Sequence, residues 1–257
     1  MRQGKVLLAG ILTASAIATT LLSVNLRANS KVLAQNERPE QTKKWQALVP
    51  IDEVAEPVDT HKRTLRQNKN RRYNSTRSDQ SLMDQPHDVI YGRIDESRRP
   101  SALPIGESDA VILGTVIEVQ PYLTENKTSI YTEFRIRVEE TFKFEVPGYL
   151  MGDREVLADQ EGGALRLKDG RTLRYFVGGT SKLPSLKRRY VLFLSLTHNN
   201  QDLAILTGYE LRNGAVISLE EGGDKSPYAN FAELKFLGLL RNATAQRSDF
   251  FEIIRTQ

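Results

Sequence analysis

The alternation of apolar and polar residues is strongest between Ala110 and Ser218. Ala110 to Val119 reads AVILGTVIEV, an apolar, β-branched run whose length and flanking turn residues predict a strand rather than a helix. Gly114 in its middle predicts a bulge or bend, and Pro121 is expected to end it. After a polar turn at Asn126-Lys127, Ile130, Thr132, Phe134, Ile136 and Val138 alternate with Tyr131, Glu133, Arg135, Arg137 and Glu139. This period of two predicts a strand with one face inward and one charged face outward. Leu165 and Leu167 before Asp169-Gly170, with Leu173 and Tyr175 after it, predict a hairpin, because both turn positions of such a pair take positive φ. Tyr190–Leu196 reads as a buried strand, Leu203–Leu206 as its return, and Tyr209–Arg212, Asn213-Gly214 and Ala215–Ser218 as another hairpin. Short strands at this spacing predict a mainly β domain, a small antiparallel barrel or a sandwich. Long early strands broken by glycine favour the barrel.

The pattern turns helical at the C-terminus. Ser226-Pro227 reads as a helix start, and Phe231, Leu234, Leu237 and Leu240 recur near a helical period. Helices are expected over 227–240 and 248–255, the second carrying Phe250, Phe251, Ile253 and Ile254. Both are expected to cover an open barrel end or a sheet face, the alternative being a partner-binding amphipathic helix.

The N-terminal third differs. Arg2 and Lys5 precede an uncharged run from Val6 to Val24, and Val32-Leu33-Ala34 offers the small residues of a cleavage site, with Ala28 a second. This order predicts a signal peptide over 1–34 and a secreted or periplasmic protein. The same run is about long enough for an uncleaved anchor, and its basic flank then also leaves the remainder outside the cytoplasm. Residues 35–104 are polar and basic, with no sustained hydrophobic period, and read as a largely disordered tether. Two places in it are expected to order locally and dock on the domain: Trp45–Ile51 and Asp88–Tyr91. The folded domain is expected over 105–257.

Composition removes several chemistries. The 257 residues include no cysteine, which excludes disulfides, thiolate metal sites, cysteine nucleophiles and a lipidated N-terminal cysteine. A net charge of +4 is too small to argue for nucleic acid, and no cytoplasmic nucleic-acid partner is expected. The three histidines, His61, His87 and His198, lack the paired spacing of zinc ligands. There is no GxSxG elbow, P-loop, dinucleotide fingerprint or EF-hand spacing, and the glycine pairs read as turns. The adjacent acids Glu139-Glu140 and Glu220-Glu221 point to opposite faces if they lie in strands. No cofactor, metal or catalytic constellation is therefore expected, and a hydrolase using His198 is the least favoured reading.

Lys62, Arg63, Arg66, Lys69, Arg71, Arg72 and Arg77 form a basic run with no acid between His61 and Ser78. It reads either as a solubilising linker or as an anion-binding arm whose candidates outside a cytoplasmic membrane are phospholipid headgroups, acidic wall polymers or nucleic acid. Tyr73 is the single aromatic within it, too few for the stacking platforms of single-strand binders.

The stretches ESDAVILGTV (107–116) and IYTEFRIRVEETFK (130–143), with YVLFL at 190–194, resemble a group of bacterial exported proteins with an "(S/A)DAVVxGxV … TxxxVxVEExxKG" opening. The same opening is similar to the first strands of the OB-like barrel of netrin-like and tissue-metalloproteinase-inhibitor modules. The resemblance covers roughly 105–220 and implies an OB-like barrel. The glycine expected soon after Lys143 comes only at Gly148, and the N-terminal cysteine through which such inhibitors reach zinc is missing. The expected function is an exported, non-catalytic binding module for a protein or envelope polymer, with Tyr131, Glu133, Arg135 and Arg137 as candidate contacts. The alternative is anion binding through 62–77.

Overall fold

The computed structural model describes residues 50–54, 57, 59–74, 81–84, 89–92, 101–146, 154–177, 182–197, 202–220 and 226–255, with 61–62, 89–92 and 246–255 described as backbone alone. The expected signal segment, Arg77, His87 and His198 lie outside these residues. The N-terminal elements are β1 (Ile51–Asp52), α1 (Thr60–Tyr73), a 3₁₀ turn at Leu82–Asp84 and β2 (Val89–Gly92). The long strands β3 (Ala110–Leu123) and β4 (Ile130–Phe144) come next, followed by β5 (Glu155–Glu161), β6 (Gly163–Arg166) and β7 (Thr172–Val177). The chain ends with β8 (Arg189–Leu196), β9 (Leu203–Arg212), β10 (Ala215–Ser218) and α2 (Glu233–Arg255).

The fold is mainly β, with a small barrel and a C-terminal helix as expected. β3 pairs antiparallel with β4 and β8, β4 with β5, and β8 with β9. A short parallel pairing of β5 with β9, Ala158 opposite Leu203 and Asp159 opposite Ala204, closes the ring. β10 is a hairpin extension of β9 at Asn213-Gly214, where both residues have the expected positive φ, 55° and 75°. At Asp169-Gly170 only Gly170 takes positive φ. Its N–H donates to Leu167 and the N–H of Leu167 donates to Arg171, which makes a three-residue loop instead of a two-residue turn.

Burial explains the hydrophobic pattern. Ala110–Leu113 of β3 and Tyr190–Leu194 of β8 are buried at every position, because both sides of these strands are covered. On one side Val111, Leu113, Val191 and Phe193 pack with Tyr209, Val216 and the Phe236, Leu237 and Leu240 face of α2. The intervening Ile112, Leu192 and Leu194, like Phe134 and Ile136 of β4, are fully buried on the other side. Each such side chain contributes about 1.5–3 kcal/mol. β4 keeps its expected alternation, with Phe134, Ile136 and Val138 buried and Arg135, Arg137 and Glu139 exposed.

Gly114 lies where the register between β3 and β4 shifts. A Cβ there would stand 2.6 Å from both the Arg137 carbonyl oxygen and Ile136 Cγ2, so the bend needs a residue without one. Pro121 does not end β3, which continues to Leu123 and pairs Pro121 with Thr132.

Residues 50–92 depart most from expectation. Ile51 and Val89–Tyr91 do order on the domain, while Trp45–Val49 and Asp88 lie outside the described residues: β1 runs parallel to β6 and β2 parallel to β7, so the β6–β7 hairpin is flanked on both edges. The stretch between them, read as disordered tether, contains the fourteen-residue helix α1. Pro50–Gln257 form one compact unit.

The C-terminal helices expected over 227–240 and 248–255 are instead one helix, Glu233–Arg255. Ser226-Pro227 opens a turn closed by the Ala229 N–H on the Ser226 carbonyl, and Asn230 then adopts a φ of 62°. The Asn230 and Glu233 N–H groups donate to Val216 and Gly214, and the Val216 N–H donates to Phe231. The open edge of β10 thus captures the backbone before the helix begins.

Two glycine substitutions should act in opposite directions. Gly114→Ala is expected to destabilise by about 1–3 kcal/mol. Gly238→Ala, in open space on α2, should stabilise by about 0.5–1 kcal/mol. Urea titration of both variants checks the contrast.

Candidate functional site

α1 is a helix without an apolar stripe: Leu65 is the single large aliphatic side chain in THKRTLRQNKNRRY. The Asp59 carbonyl accepts the Arg63 N–H and sets its start, and Arg71 and Arg72 complement the dipole of its last turn. The face turned to the barrel is polar. Arg66, Lys69, Asn70 and Tyr73 follow the i, i+3, i+4, i+7 spacing of one helix face, and Lys69 and Asn70 are buried while Arg63, Gln67 and Arg71 are exposed.

Two acids from neighbouring strands wait beneath this face. Glu133 of β4 and Asp159 of β5 are register partners, so their side chains share one face directly opposite each other. Like charges so placed repel. Lys69 answers both: its Nζ donates to Glu133 Oε1 at 2.6 Å and lies 3.5 Å from Asp159 Oδ2. The same ammonium is 3.5 Å from Asp202, just before β9. Lys69 therefore joins carboxylates from both sides of the β5–β9 seam. Asp159, with no exposed surface, also accepts hydrogen bonds from Arg72 Nη2 and, at 2.6 Å, from the Tyr73 hydroxyl.

An aromatic column runs beside the charges. Tyr131 lies between Tyr73 of α1 and Tyr122 of β3, with ring centroids 5.1 Å and 5.4 Å away. The Arg66 guanidinium sits 4.7 Å from the Tyr122 ring centre, and that of Arg72 sits 4.5 Å from the Tyr73 ring centre. The column is capped by cations at both ends, and each such contact is worth about 0.5–2 kcal/mol. Ser129 Oγ donates to the Tyr73 carbonyl and fixes the end of α1.

The two sets of residues singled out from the sequence thus meet. Tyr131 and Glu133, expected as exposed contacts, lie under Tyr73 and Lys69; Tyr131 is fully buried. Arg135 and Arg137 stay open on the same face, within ion-pair distance of Glu118 and Glu155. Of the basic run, Arg66, Lys69 and Arg72 point at the barrel, whereas Arg63 and Arg71 are exposed. Lys62 and Arg77 have no described side chain. The sequence reading missed Asp159 and Asp202. An acid inside a strand run such as EVLADQE is itself a signal, since aspartate is depleted in strands. Among the described residues no group of histidines and acids could hold a metal ion.

The charges shift the titrations. Burial pulls the Lys69 ammonium toward neutrality, but Glu133, Asp159 and Asp202 outweigh it and hold the group above its ordinary value. Burial and then the Asp159 carboxylate push the Tyr73 hydroxyl well up. Tyr122 is pushed up to about 12, first by burial and then by Glu133. Groups raised on folding stabilise fully below their ordinary values and lose that contribution as pH rises through the folded ones. The attachment of α1 should therefore be complete at neutral pH and weaken as pH rises above about 10.5. In an alkaline titration followed by tyrosinate absorbance, a subset of tyrosines should ionise late, Tyr122 near pH 12. Replacing the buried acid is expected to be costly: Asp159→Ala should lose about 3–5 kcal/mol in urea titration. Arg135→Ala, in an exposed pair, should change stability by about 0.5 kcal/mol or less.

Comparison with known proteins finds no match for this chain among protein-family models, curated proteins or solved structures.

Proposed function

We propose that this protein is an exported, non-catalytic binding module that uses the outer face of β4 and its neighbours β3 and β5. The observation that carries the reading is the make-up of that face. Tyr131, Glu133, Arg135 and Arg137 all project from it; the first two are engaged by α1, and the last two stand beside them with only exposed ion pairs to Glu118 and Glu155. Exposed pairs of this kind are worth little and exchange readily for a partner's charges. The strand connectivity supports an OB-like reading of the barrel, whose kind binds along the face of its central strands. That link is an analogy of fold. Export rests on the segment 1–34; no helix among the described residues is long and apolar enough to cross a membrane.

The anion-binding reading retains Arg63 and Arg71, which point away from the barrel. It predicts binding to acidic polymer or lipid that falls steeply with salt.

A crosslinked pull-down from the native cell envelope distinguishes the two, with residues 35–257 and the R135E/R137E and R63A/R71A variants as baits. A partner retained by the unaltered chain and by R63A/R71A but lost with R135E/R137E is expected. Equal recovery on R135E/R137E overturns the face. Acidic material released by salt and lost with R63A/R71A establishes the arm instead.

A further inference from the structure

We propose that the groove lined by Glu133, Asp159, Asp202, Tyr122 and Tyr131 is a receptor site for a cationic, aromatic-bearing segment of another polypeptide, and that α1 occupies it in cis as a built-in stand-in. The inference deepens the binding-module reading by naming the partner's chemistry.

The groove dictates a cation. Glu133 and Asp159 face each other across adjacent strands, Asp202 stands at the start of β9, and Asp159 has no exposed surface. Removing α1 without replacement takes away Lys69 and Arg72, the cations in direct contact with the facing carboxylates, so an exchanging ligand must bring its own ammonium or guanidinium. The tyrosine pair sets the second requirement. Tyr122 and Tyr131 are opposite each other in the β3–β4 register, and the outer face of Tyr131 is covered by the Tyr73 ring. A ligand that uncovers it must supply a flat ring or guanidinium there.

The fit of α1 leaves hydrogen bonds unmade. The Tyr131 hydroxyl and Asn70 Oδ1 are buried without a hydrogen-bond partner, and Asp159 Oδ2 has only the ion pair with Lys69. Each unmet group costs about 1–3 kcal/mol, which a better-matched segment recovers. The face of α1 in contact has no aliphatic stripe, so the Tyr73 and Tyr131 rings are the apolar surface uncovered when it leaves. What favours α1 is its covalent attachment, which gives it a high effective concentration that a separate chain must overcome.

The test uses the chain 35–257 and its K69A/R72A variant, in which the cis occupant is weakened. The probe is a fluorescein-labelled peptide with the sequence of residues 59–74, read by fluorescence anisotropy. K69A/R72A is expected to bind the peptide about tenfold or more tighter than the unaltered chain. A scrambled peptide of equal charge should bind weakly to both, and adding D159N to K69A/R72A should abolish binding. Equal affinity of both chains for the peptide, or equal binding of the scramble, overturns the proposal. Amide exchange on the unaltered chain guards against an unfolded variant: saturating peptide should strip protection from 60–73 while β3, β4 and β8 keep theirs, and unchanged protection of 60–73 also overturns it. Loss of the envelope partner with R135E/R137E but no peptide exchange leaves the binding face standing and removes only this ligand.

Discussion

A buried carboxylate at a barrel seam is the constraint around which this molecule is arranged. The ring closes through just two residue pairs between β5 and β9, and Asp159 belongs to one of them. At that point it also faces Glu133, with Asp202 at the entry to β9. Three negative groups around the shortest pairing of the barrel are an electrostatic load. α1 answers it with Lys69 and Arg72, and with the Tyr73 hydroxyl. A helix that would be marginal alone, without an apolar stripe, is thus held against the ring.

The two helices cover the barrel by opposite means. α2 lays Phe236, Leu237 and Leu240 on Val111, Leu113, Val191 and Phe193, a contact made of dispersion and excluded water. α1 lays charges and rings on charges and rings. The first contact also carries the ion pairs Arg241–Glu140 and Arg189–Glu233 at its rim. The second responds to counter-charges, to competing rings and to strong alkali, and it lies over the same strand face that continues into the open Arg135 and Arg137. The apolar cover and the polar one thus lie over different strands of one small ring.

How much of this was legible in the sequence depended on which residues carried the period. β4 was plain because apolar residues alternate from Ile130 to Val138, and the bend of β3 because glycine interrupts a β-branched run. Asn213-Gly214 was plain because its turn needs the conformations those residues adopt. α1 was not, because its helical period lies in Arg66, Lys69, Asn70 and Tyr73, and a search for apolar stripes passes over a face made of cations. Ser226-Pro227 misled for a different reason: a free strand edge on β10 competed with the helix for the backbone and won until Glu233. Of the candidate site, Tyr131 and Glu133 came from alternation alone, and Lys69 and Arg72 from charge alone. That they face each other required the third dimension.

The way the N-terminal segment borders the β6–β7 hairpin has a consequence for the order of assembly. Ile51 pairs with Leu165 and Val89 with Arg174, so the first strands to leave the ribosome wait for partners made much later in synthesis. Contacts of such sequence separation slow folding, since the intervening chain must be gathered before either partner gains anything. The β6–β7 hairpin has to exist before β1 and β2 can pair with its edges, so the two strands that bracket α1 along the chain settle only after that hairpin has formed.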